Sequence, residues 1–62
     1  MNERREPLIG ERELAEWLGV SYATAKRRRA EGGDGWPPHR KIGRLVKYSP
    51  AEVRRWLEGH DR

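Results

Sequence analysis

The chain has no cysteine among its 62 residues, so neither a disulfide nor a Cys-based zinc site can staple it. Its two histidines, His39 and His60, stand far apart, and its carboxylates are scattered with no nucleophile–base pair beside them. The expectation is therefore a non-enzyme with no catalytic residue, no metal and no cofactor. No apolar run exceeds four residues, which argues against a transmembrane span or a secretory apolar segment. That predicts a soluble cytoplasmic domain without a membrane partner. A chain of this size buries only about 60% of the surface its unfolded form exposes. One small domain is expected, with its function carried on its surface.

What the chain has in quantity is charge, and the charge is unevenly placed. Between Tyr22 and Tyr48 stand Lys26, Arg27, Arg28, Arg29, Arg40, Lys41, Arg44 and Lys47, opposed by Glu31 and Asp34 alone. The first 21 residues are acid-rich and the last 14 are balanced. A basic middle between neutral or acidic ends is the footprint of a nucleic-acid face.

Local signals divide the chain into helix, helix, hairpin, helix. Residues 1–7 are polar, end in Pro7 and read as a flexible N-terminal arm; residues 8–59 read as the domain. Gly10 can cap a first helix, with Glu13 as a weak capping-box partner. Leu14, Trp17 and Leu18 recur at the spacing of an amphipathic helix, with Ala15 alongside, and Gly19 stops it. Ser21 is a strong cap for a second helix from Tyr22 to about Glu31, which ends at Gly32-Gly33. Two helices joined so tightly predict a helix-turn-helix. Trp36, in the loop "GGDGWPP", is expected to cover the core. In "HRKIGRLVKY", a three-residue loop Gly43-Arg44-Leu45 would pair Ile42 with Val46, Lys41 with Lys47 and Arg40 with Tyr48. That register puts Ile42, Val46 and Tyr48 on the core face and Lys41 and Lys47 on the exposed one. Ser49-Pro50-Ala51-Glu52 combines an N-cap, a Pro at the first helical position and a capping-box Glu. Val53, Trp56 and Leu57 face inward on that last helix, which Gly59 ends.

A helix presented after a tight turn fits the major groove of duplex DNA, and a hairpin beside it can follow the backbone or enter the minor groove. With Ala25 toward the core, Tyr22, Lys26 and Arg27 face outward. Arg27 is placed to pair with a guanine edge, and Tyr22 and Lys26 to reach bases or phosphates. Ser21 and Thr24 lie near the helix N-terminus, where free N–H groups suit a phosphate. Arg28 and Arg29 fall where a core-facing helix would carry Leu or Ile. Either they reach phosphates, or their stems lie over Trp17 or Trp36 with the heads snorkelling out. Arg44 at the hairpin tip, with Arg40, Lys41 and Lys47 on the strands, completes the expected DNA-contacting set.

The segments "ELAEWLGVSYATAKRRRAEG" and "WPPHRKIGRLVKYSPAEVRRWL" together resemble the small MerR-like winged-helix proteins of the excisionase (recombination directionality factor) and AlpA type. Leu14, Ala15, Leu18, Gly19, Val20, Ser21, Thr24, Ile42, Gly43, Val46, Trp56 and Leu57 match that pattern. Two departures fall on the second helix: Ala25 replaces the usual Val, and Arg28-Arg29 replace an apolar pair. The resemblance implies a mainly α fold with a small β-hairpin, a winged helix-turn-helix. It implies double-stranded DNA as partner, with the second helix in the major groove and the wing in the minor groove. Excisionases of this kind bend DNA, bind repeated sites, associate head to tail and direct an integrase, of tyrosine or serine type, toward prophage excision. AlpA-type members regulate transcription. With no effector or dimerisation segment in the chain, the excisionase role suits it better. A basic module that docks on an acidic protein is the alternative of another class, and RNA binding finds no supporting aromatic strand or GXXG loop.

Overall fold

The computed structural model describes residues 6–60. In chain order it contains β1 (Ile9–Gly10), α1 (Glu11–Leu18), α2 (Tyr22–Glu31), a 3₁₀ turn (Gly33–Gly35), β2 (Arg40–Ile42), β3 (Leu45–Tyr48) and α3 (Pro50–Gly59). Three helices pack with one three-stranded antiparallel sheet of order β1-β3-β2. Among the described residues no helix is long and apolar enough to cross a membrane. Of the N-terminal arm expected over residues 1–7, residues 1–5 lie outside the described residues. Glu6 pairs with Arg54 of α3 at 2.7 Å, an exposed contact worth little by itself.

The helix boundaries follow their local chemistry. Gly19 ends α1 with φ at 74°, a left-handed conformation that a side chain resists. Ser21 caps α2 by accepting the Thr24 amide at 3.0 Å, and Ser49 caps α3 by accepting the Glu52 amide. The capping box expected at α3 does not close: the Glu52 carboxylate is drawn across to Arg40 of β2 instead. Glu13, expected to assist at α1, is exposed.

The core joins Leu14 and Ala15 of α1, Ala25 of α2, Trp36, Tyr48 of β3 and Val53 of α3, with Ile9, Leu18, Val20, Val46 and Leu57 packed around them. Trp36 covers the core as expected, edge-on to Trp56, whose Nε1 donates to the Asp34 carbonyl at 3.0 Å. Trp17 does not join it and remains 42% exposed. The reason is rotational. At about 100° per residue, buried Glu11, Leu14 and Ala15 and half-buried Leu18 centre on the line from Glu11 to Leu18 and leave Trp17 at the edge of that face. Small Ala15 and Ala25 also let α1 and α2 form the most extensive helix–helix contact of the fold.

The sheet departs from expectation in two ways. First, β1 adds a strand, with Ile9 opposite Tyr48 and Gly10 opposite Lys47. Second, the hairpin register is shifted: Arg40 pairs with Lys47, Lys41 with Val46 and Ile42 with Leu45. The loop is therefore Gly43-Arg44 alone, and Leu45 belongs to β3. Gly43 has φ at 63°, and among the described residues only glycines have positive φ, which fits a two-residue turn with Gly first. A one-residue change of register exchanges the faces. Val46 and Tyr48 still face inward, but Lys41 now shares their side. Ile42 and Leu45 form an exposed apolar pair at the tip, 52% and 58% accessible.

Candidate functional site

A groove of about 330 Å³ runs between α2 and the hairpin. Its charged and aromatic walls are Arg12, Tyr22, Lys26, Arg29, Arg44 and Lys47, and Glu11 lies among them as the one carboxylate. Helical spacing explains which members of the basic run reach it. With Ala25 fully buried, residues three back, one on and four on (Tyr22, Lys26 and Arg29) fall on the flank facing the hairpin. Arg27 stands opposite the core, fully outward, and Arg28 falls on the far flank; both are exposed. The four consecutive cations therefore point three ways.

The structure thus brings Tyr22, Lys26, Arg29, Arg44 and Lys47 together, and separates them from the rest of the expected set. Arg40 is turned toward Glu52. Lys41 lies opposite Val46, on the other side of the hairpin from Lys47. Ser21 and Thr24 are bound to each other: Ser21 Oγ donates to Thr24 Oγ1 at 2.9 Å and accepts the Thr24 amide. The cap leaves the Tyr22 and Ala23 amides as the free donors of that helix end.

Arg29 meets a partner that neither of the paths the sequence left open includes. Its Nε donates to Glu11 Oε2 at 2.6 Å, with the arginine side chain 22% and Glu11 7% exposed. The same oxygen accepts the Tyr48 hydroxyl at 2.8 Å, and the Tyr48 oxygen accepts Trp36 Nε1–H at 3.0 Å. One chain of hydrogen bonds, buried except at its Arg29 end, thus connects α2, α1, β3 and the Trp36 loop. Glu11 is also the first residue of α1, where the positive end of the helix dipole favours a carboxylate. The hydrogen bond it donates to Glu11 holds the Arg29 guanidinium above its ordinary pKa, against the opposing effect of burial. Burial pushes the Tyr48 phenol up to about 12, and its donation to Glu11 adds to the effect while the Trp36 donor opposes it.

Two site residues escaped the sequence reading. Arg12 lies with its guanidinium 4.2 Å from the Tyr22 ring centroid, and Lys26 Nζ lies 5.2 Å from the same ring. The two cations sandwich or flank one aromatic ring, within the range of a cation–π contact. Arg12 sits in an acid-rich stretch, so charge density did not mark it. Glu11 looked like an ordinary first-turn acid, and only the packing of α2 reveals that it is buried. Comparison with protein-family models, with curated proteins and with solved structures finds no match to this chain.

Proposed function

We propose that this chain is a winged helix-turn-helix DNA-binding protein, with α1 and α2 as the helix-turn-helix, α2 as the recognition helix and the β2–β3 hairpin as the wing. Within that class, we propose an excisionase that binds and bends duplex DNA so that an integrase excises a prophage. The observation that carries the DNA-binding part is the groove. Five cations from α1, α2 and the hairpin converge on it, and its one carboxylate is already paired with Arg29. Such a surface suits a phosphate backbone, while outward Arg27 suits a base edge in the major groove.

The test is the salt dependence of affinity for duplex DNA. Each phosphate neutralised contributes about −0.9 to the log–log slope, so a slope of about −4 to −6 is expected. A flat response removes the DNA reading. Arg27→Ala should weaken binding roughly tenfold and relax selectivity at one base pair. Equal weakening on every sequence would make Arg27 a phosphate contact instead. Footprinting on the surrounding genome separates the roles. Tandem sites beside an attachment core, with stimulated excision, support the excisionase; a lone palindrome over a promoter supports a transcriptional regulator.

A second reading, a basic protein-interaction module, is favoured by the exposed apolar residues Ile42, Leu45 and Trp17. It predicts weak, flat salt dependence on DNA and tight binding to an acidic protein.

A further inference from the structure

We infer that Glu11, although acidic, promotes polyanion binding in the groove by holding Arg29 in a fixed orientation for a single phosphodiester. This rests on the DNA-binding reading above and names how one phosphate is held.

The geometry is specific. Glu11 Oε2 engages Arg29 through Nε alone, and no other hydrogen bond of the Arg29 side chain is formed among the described residues. An arginine carries five N–H donors in a rigid planar fork, so both terminal nitrogens stay available. Arg29 lines the groove beside Lys26, Arg44 and Lys47, and its partial exposure leaves part of the fork open to it. On the other side Glu11 cannot swing away, because Tyr48 donates to the same oxygen and Trp36 in turn holds Tyr48. The tryptophan, tyrosine and carboxylate therefore act as a rigid backing for the guanidinium. A free surface arginine must lose its rotamer freedom to bind a phosphate; Arg29 has already lost it on folding. Planar recognition by arginine depends on that orientation.

Glu11 is thus a positioning residue, and its role can be told from a simple field effect by sign. By charge alone, Glu11→Gln removes a negative group from a polyanion site and should tighten binding. By charge alone, Glu11→Asp should change nothing. Under the positioning role both variants weaken binding, because Gln holds the guanidinium without charge assistance and Asp falls one methylene short.

The experiment measures affinity of a labelled mixed-sequence duplex at several salt concentrations, for the wild type, Glu11→Gln and Glu11→Asp. The folded fraction under assay conditions is taken from circular dichroism and the affinities are referred to it. The expected result is about tenfold weaker binding for both variants at low salt. For Glu11→Gln the slope should also become shallower, by up to about 0.9 as one phosphate contact is lost. Loss of folded protein alone leaves the slope unchanged, so weaker binding with an unaltered slope overturns the inference. Unchanged or tighter binding by Glu11→Gln overturns it too. In both cases a salt-sensitive wild type leaves the DNA-binding reading standing. A wild type with no salt-sensitive binding removes both.

Discussion

Replacing Arg29 with methionine lowers the free energy of unfolding by about 3 kcal/mol, the low end of what removing one member of a buried ion pair costs, because this pair is only partly buried on the arginine side. Methionine matches the stem in shape and leaves the Glu11 carboxylate 7% exposed with no cation against it. The Tyr48 hydroxyl and the start of α1 still favour its charge, which is a second reason the cost falls at the low end. A single core in a chain this small rarely supplies more than about 3–5 kcal/mol. The variant should therefore keep at most about 2 kcal/mol of stability and stand close to its unfolding midpoint, which urea or thermal melts followed by circular dichroism will show. Adding Glu11→Leu restores most of the loss, since apolar residues of similar shape commonly replace a buried pair without penalty. A remainder of about 1 kcal/mol persists, because the Tyr48 hydroxyl then lacks its acceptor. A single variant within about 1 kcal/mol of wild type would show that water reaches Glu11 and that the pair is not structural.

Raising the pH from about 10 to about 12 removes about 2 kcal/mol through Tyr48. The phenol is fully buried and its pKa in the folded chain is raised to about 12. Below about pH 10 both folded and unfolded states keep the proton, and the stabilisation is fully present. Through the window above it the unfolded chain ionises while the fold does not, so stability declines until the folded phenol titrates as well. A Tyr22→Phe background leaves Tyr48 as the one phenol, because the chain has two tyrosines. Urea melts across the window should then show a falling midpoint, and adding Tyr48→Phe should remove that fall. Titration of Tyr48 at its ordinary value with the fold intact would contradict the burial.

Both expectations converge on one hydrogen-bonded chain, and no part of it was visible in the sequence. Glu11 lies in a run of first-turn acids, Tyr48 in a strand, Trp36 in a loop and Arg29 in a basic cluster. The contacts among them span 12 to 37 residues of sequence. Nothing local distinguishes a carboxylate that will be buried from one that will be solvated. Neither phosphate nor tryptophan, the two neighbours the sequence offers Arg29, points to its contact with Glu11. The two-residue strand β1 is too short to carry alternation, and its pairing with β3 is its only signal.

What the sequence determined by itself is the series of short-range decisions. Gly19, Ser21, Gly32 and Ser49-Pro50 act on neighbours within one helical turn, so the limits of α1, α2 and α3 were legible from residue type alone. Trp36 as a cover for the core followed from its size, and the orientation of α2 with Ala25 inward was one the sequence offered as a condition. Tertiary structure decided the rest. It turned α1 toward Ala15 and left Trp17 at the edge, and it seated Tyr48 beneath Glu11. With Gly43 turning the hairpin in two residues, Ile42 moved outward. It also divided Lys26, Arg27, Arg28 and Arg29 between a groove wall, where Arg29 meets Glu11 beside Lys26, and two exposed directions. Capping is a contact between near neighbours and can be read along the chain. The direction of a charged side chain depends on what the other elements bring to meet it.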